Sequence, residues 1–346
     1  MKYSVLNLVP LYEGNHYKDA IDSMIHLARK VEELGYERYW IAEHHNMKSI
    51  ASSATQLLIQ HTLANTQTIK VGAGGIMLPN HSPYQVAEQF GFLETLYPNR
   101  VDLGIGRAPG TDGVTAEALY RRDDTISQFS KDIAELSGYF EDTNVVSAYP
   151  AAGLSVPFYI LGSSVESAYL AAELGFPYAF ASHFAPQMME EAVAIYRENF
   201  KPSSQLQFPY VILGANISIA ETDEEAQRLA TSQIQAFLNI ITGQEHAIQP
   251  PLESAEKIWR AFVVASDVPH FGPISFSMET IERNEKQVVE EMSRVSLIGN
   301  PQTVSKQIND LRNRVDFDEL MVCSYIYDKE AQYKAYELLA QVLRED

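Results

Sequence analysis

One cysteine, Cys323, is all the thiol this chain has, so no internal disulfide staples it and a reducing cytoplasm is its expected home. Basic residues are also scarce. The 26 Lys and Arg stand against 45 Asp and Glu, a net charge of −19, which argues against a general nucleic-acid or anionic-membrane surface. Any anion site must therefore be local. No stretch approaches the roughly 18 consecutive apolar residues of a membrane span, and Met1–Pro10 has too short an apolar run for a signal peptide. A G-x-G-x-x-G fingerprint is missing too: Gly104-Ile105-Gly106-Arg107-Ala108-Pro109-Gly110 has the wrong third spacing, which excludes the usual nicotinamide dinucleotide loop. There is no Walker lysine and no lysine at the C-terminal end of a predicted strand, which weighs against a Schiff-base aldolase. Strand one ends Asn7-Leu8-Val9-Pro10 and carries no His-x-His, and the adjacent pair His44-His45 chelates poorly, so no metal is expected.

What is present is a long chain, 346 residues and 46% hydrophobic, in which β-rich runs alternate with amphipathic helical stretches from end to end. Strands are predicted over Tyr3–Val9, Arg38–Ala42, Ile69–Gly72, Val101–Ile105, Phe158–Leu161, Tyr178–Ala181, Val211–Ile219 and Glu319–Cys323. Helices are predicted between them, for instance Pro83–Leu96 with proline in its first turn and Val165–Leu174 closed by Gly175. Eight such units predict an α/β chain folded as one (β/α)8 TIM barrel over residues 1–346. A doubly wound sheet is the alternative. Thr242–Met278 breaks the rhythm with Pro250-Pro251, Pro269, Gly272 and Pro273 and reads as an insertion before the last strand. Its Trp259, Phe262 and Phe271 make it a candidate lid.

Either architecture places its chemistry at the C-terminal ends of the strands, and four segments collect there. Val101–Asp112 runs from an apolar strand into a glycine-rich turn carrying Arg107, the arrangement by which backbone N–H groups and a guanidinium hold a phosphate. Gly162-Ser163-Ser164, with Ser167 one turn later, opens a helix on the next strand over. Capping explains one of these serines and three less well. Glu43-His44-His45 ends strand two, where alternation lets only one histidine face a barrel mouth; that histidine is either a proton-handling group or part of a polar rim. Gly72-Ala73-Gly74-Gly75 is either a tight connection or a bare backbone wall for a flat ligand.

Taken together, Trp40–His45, Val71–Pro79 and Arg100–Arg107, with the serine-bearing turn at Gly162, resemble the bacterial luciferase-like flavin-dependent monooxygenases, most closely the luciferase-like oxidoreductase subgroup. The resemblance implies a barrel that takes reduced FMN from a separate flavin reductase, activates O2 as a flavin C4a-hydroperoxide and oxygenates a small organic substrate. Carried over by position, His44 is the catalytic histidine near the flavin, and Gly74 and Gly75 are the pair joined by a cis peptide beside the ring. Arg107, Ser163, Ser164 and Ser167 hold the phosphate. It also implies a homodimer, through the helix Pro83–Leu96 with Glu88. Gly106 and Ser163 depart from the light-emitting enzymes, which have a cysteine and an acid there. The resemblance leaves two alternatives: a relative using the deazaflavin F420 for hydride transfer, and a flavin-binding barrel without turnover.

Overall fold

Side chains along a strand point alternately to its two faces, and here both faces of almost every strand are apolar, which only a sheet covered on both sides can satisfy. The computed structural model describes residues 1–265 and 278–345. Its strands are β1 (Lys2–Asn7), β2 (Arg38–Ile41), β3 (Lys70–Met77), β4 (Val101–Gly106), β5 (Phe158–Gly162), β6 (Tyr178–Phe180), β7 (Val211–Ile219), β8 (Ser296–Gly299) and β9 (Glu319–Cys323). All their pairings are parallel, and β1 to β7 followed by β9 close into a ring through β9–β1 contacts. This is an eight-stranded barrel with helices around it, the TIM architecture that the alternation predicts.

The ninth strand is the departure. The amide of Tyr178 donates to the Tyr210 carbonyl and the amide of Asn216 to that of Val295, so β6 and β8 use the same edge of β7. Asp318 N donates to Val211 O on the other edge, where β9 runs. The strand β7 outlasts β6, and β8 pairs with the surplus at Asn216–Ile219. The inserted segment includes the helix Ala255–Ala265, and the helices Met278–Met292 and Pro301–Arg314 lie before β9. Trp259 is buried and lines a cleft between the helices Asp223–Ile241, Ala255–Ala265 and Met278–Met292. Phe271 lies outside the described residues, as does the side chain of Phe262.

Two apolar cores follow from the alternation. Outward residues such as Val5, Ile41, Leu103, Ile160 and Val322 pack under the helices, while Leu6, Trp40, Tyr159, Ile212 and Met321 fill the lumen. The floor of the lumen is polar. Arg38 donates to both oxygens of Glu319 (2.8 and 3.1 Å) and to Asp102 (2.7 Å), all three side chains being almost wholly buried. Trp40 Nε1 donates to Asp102 at 3.0 Å and the Tyr210 hydroxyl to Glu319 at 2.7 Å, so the carboxylates have partners beyond the single arginine.

Candidate active site

Counting inward from Arg38, every second residue faces the lumen through Trp40 and, just past the end of β2, Ala42; His44 keeps the same parity at the mouth. Glu43 and His45 take the opposite side. The buried Glu43 carboxylate contacts Nε2 of His45 (3.0 Å) and of His81 (2.9 Å) and accepts from the amide of Met77 (3.2 Å) and Nδ2 of Asn80 (3.3 Å). Burial pushes its carboxyl up, but the hydrogen bonds from His45 and then His81 outweigh it and hold the group at about 2. Asn80 also donates to the Pro109 carbonyl (2.9 Å), so Glu43 ties together the loops after β2, β3 and β4. It is a structural hub, and His45 belongs to it.

His44 is not tied in this way. Its Nδ1 is shut off from water without a hydrogen-bond partner among the described residues, and burial, opposed by Glu43 and aided by His45, lowers its pKa from 6.5 to about 4. A second imidazole, which the sequence reading missed, shares these properties. His183, two residues past the predicted strand Tyr178–Ala181, also has an orphaned Nδ1 and a pKa lowered to about 4, first by burial and then by His44. A polar residue just past a barrel strand was the available signal. The missing information was spatial, because the His183 ring fits only where β7 has a glycine: a Cβ on Gly214 would stand 2.4 Å from its Nδ1.

Arg107 leaves β4 beside the end of β5. Ile105 pairs with Ile160, so two residues further on Arg107 comes level with Gly162, directly before Ser163. Its carbonyl accepts from Arg121 Nη2 (2.5 Å), while Arg121 Nη1 donates to Asn80 (2.7 Å), which fixes the backbone of this turn. The half-buried guanidinium itself has no hydrogen-bond or ion-pair partner among the described residues. Its charge is felt at the start of the helix Val165–Leu174: the Glu166 carboxyl is held low by its own amide, then by the Ser164 hydroxyl, with Arg107 adding to both. Ser164 caps that helix by accepting from Ser167 N (3.4 Å). The Ser167 hydroxyl turns inward, bonded to the Ser164 carbonyl (2.7 Å) and the Tyr178 hydroxyl (2.9 Å), so it serves the cap. Ser163 is half-buried with no side-chain partner among the described residues.

The peptide between Gly74 and Gly75 is cis, and here the β3–β4 register shifts. These glycines are close-approach positions. A Cβ on Gly74 would stand 2.7 Å from Leu6 Cδ1, and one on Gly75 would stand 2.7 Å from the Gly104 carbonyl oxygen. Gly106 is explained similarly, since a side chain there would meet Met77 Sδ and Cε at 2.8 Å. Among the described residues no group of three or more potential metal ligands comes together, and no helix is long and apolar enough to cross a membrane.

The mouth thus combines a cation unpartnered among the described residues, beside a helix N-terminus, with two neutral imidazoles, an arrangement suited to a phosphate-bearing cofactor and to hydrogen bonding at a reacting atom. Comparison with known proteins points the same way. A family model described as luciferase-like monooxygenase matches residues 1–316. A luciferase-like monooxygenase of Escherichia coli (strain K12) is 42% identical, covering 99% of this chain and 97% of its own. The N-acetyl-S-alkylcysteine monooxygenase of Bacillus subtilis (strain 168) is 31% identical over 86% of this chain and 89% of its own. Among solved structures, apo-MsnO8 superposes with a TM-score of 0.83 at 32% identity, covering 99% of this chain and 98% of its own. The FMN complex of the oxygenating constituent of 3,6-diketocamphane monooxygenase from Pseudomonas putida shares the fold, with a TM-score of 0.69 at 18% identity and 99% and 97% coverage.

Proposed function

Since the chain belongs to the luciferase-like monooxygenase family and is a flavin-dependent monooxygenase, we propose that its flavin is reduced FMN, delivered by a separate flavin reductase. When bound, the flavin supplies the activation of O2 and the transfer of one oxygen atom to a small organic substrate.

The observation that carries the choice of cofactor is Arg107: a half-buried residue whose guanidinium has no partner among the described residues, level with Gly162 just before the helix Val165–Leu174. A phosphate dianion completes it. Arg107 offers a planar fork, Ser163 its hydroxyl and backbone amide, and Ser164 its hydroxyl, the Ser164 amide being turned to Ser167 Oγ at 3.4 Å within the cap. Ser167 acts one step back, by holding the cap in place. The backbone at Gly74-Gly75 flanks the ring, and His44 presents its imidazole to the reacting edge. The enzyme is cytoplasmic and homodimeric in this reading, the dimer forming through the helix Pro83–Leu96, whose Phe92 and Leu96 are 59% and 50% exposed. The substrate of the Bacillus relative makes N-acetylated thioethers the first compounds to screen.

The test is titration with FMN and reduced FMN followed by flavin fluorescence and absorbance. Arg107→Ala should weaken binding by about 1.5–3 kcal/mol, roughly 10- to 150-fold, the scale of hydrogen bonds to a charged group. An unchanged affinity removes the phosphate assignment, and tighter binding of reduced F420 than of reduced FMN moves the enzyme to hydride transfer.

A further inference from the structure

His183 has no part in the phosphate corner or the Glu43 hub. It follows β6, and β6 stands four strands from β2 whichever way the ring is counted, so His183 and His44 rise from opposite walls of the barrel. Both rings enter the lumen: His44 follows the lumen-facing Trp40 and Ala42 by twos, and the His183 ring packs against Gly214, which follows the lumen-facing Ile212 by two. The position of His183 is fixed. Asn216 Nδ2 donates to its carbonyl at 2.7 Å, Cys323 Sγ in turn donates to Asn216 Oδ1 at 3.0 Å, and the glycine at 214 leaves room for the ring. In both imidazoles Nδ1 is sealed from water and unpaired, whereas Nε2 is neither sealed nor hydrogen-bonded among the described residues. An orphaned buried N–H is rarer in proteins than an orphaned acceptor, so the proton is assigned, not observed, at Nε2 in each. Each ring then offers its single N–H on its open side, the two rising from opposite walls of the mouth.

We propose that His183 is a second catalytic residue, whose Nε2–H donates, opposite that of His44, to the oxygen that gains negative charge as O2 is reduced in the mouth. Fixed donors aimed at developing charge in a site poor in water are the most effective electrostatic device an enzyme has. Keeping both rings neutral preserves them as donors without placing two like charges face to face. The proposal rests on the flavin reading of the site.

Two measurements separate it from that reading. In ligand-free protein labelled with 15N-histidine, His183 should titrate below the ordinary histidine value of about 6.5, and His44→Asn should raise its midpoint. With reduced FMN loaded, His183→Leu and Gly214→Ala, which pushes the ring aside, should each slow the reaction with O2 about 100-fold while the Kd for FMN stays within about twofold of the wild-type value. His183→Gln, which keeps a donor, should recover part of the rate. A His183 midpoint indifferent to His44, or a His183→Leu rate within about twofold of wild type, overturns the assignment. Failure of the wild-type protein to bind FMN sinks the flavin reading and the proposed role together, yet leaves the measured coupling of the two rings standing.

Discussion

Two histidines held neutral inside a folded protein make its stability depend on pH in a window that can be calculated. His44 and His183 both titrate at about 4 in the folded state and at the ordinary histidine value of 6.5 in the unfolded chain. Their folded pKa values are depressed, so between these limits the unfolded state binds more protons and stability falls as pH drops from 6.5 towards 4. Above 6.5 neither ring contributes. At pH 5 each costs about 2 kcal/mol relative to neutral pH, so the pair removes about 4 kcal/mol, a large fraction of ordinary domain stability. Glu43 does not blur the measurement, because its carboxyl is depressed from 4.5 to about 2 and its contribution is lost only below pH 4.5. The assay is urea denaturation at pH 7.5 and pH 5.0 of wild type and His44→Asn, with circular dichroism and tryptophan fluorescence required to coincide. The stability difference between the two pH values should shrink by about 2 kcal/mol in the variant, whatever the substitution does to stability at neutral pH. Equal pH dependence in both proteins would refute the buried, neutral state of His44.

Two further predictions concern the barrel itself. Arg38→Met leaves Asp102 and Glu319, 1% and 0% exposed, without their cation; a loss of about 3–5 kcal/mol is expected, partly restored by adding Asp102→Asn and Glu319→Gln. A single variant as stable as wild type would show that the neutral hydrogen bonds from Trp40 and Tyr210 suffice. Gly104→Ala places a methyl 2.1 Å from the Ala73 carbonyl oxygen and should cost about 1–3 kcal/mol or more, whereas Gly113→Ala, with nothing within 4 Å, should be nearly neutral. Comparable melting temperatures for the two would mean that β3 and β4 approach less closely than the structure has them.

The fold was legible wherever local sequence carries the physics. Strands such as Val211–Ile219 are buried on both faces and read as apolar runs, and caps such as Gly175, in the left-handed region at φ 66°, punctuate the helices between them. The four residues of β8 were too short to register. The Asn300-Pro301 cap after them was a usable signal: Asn300 Oδ1 accepts from Thr303 N at 3.0 Å and proline opens the helix. The site was legible only in part, for a different reason. A serine one turn into a helix has the same spacing whether it binds a ligand or closes a cap, and the Ser167 hydroxyl is directed to the cap by Tyr178, a residue on the next strand. Likewise the run Gly72–Gly75 reads either as a tight connection or as a bare wall; strand β3 continues through it, and β4, Leu6 and Trp40 come close enough to need the missing side chains, a proximity the chain order does not carry.

His183 shows where local reading stops. Its importance depends on β6 lying opposite β2, on a glycine 31 residues later that admits its ring, and on an asparagine that pins its carbonyl. None of these is a neighbour in sequence. Arg107 is the opposite case, because a strand, a glycine turn and a guanidinium are contiguous and chemically specific together. An anion site built from one loop can thus be read from the chain, whereas a pair of facing donors is a property of barrel closure and emerges only when the ring is complete.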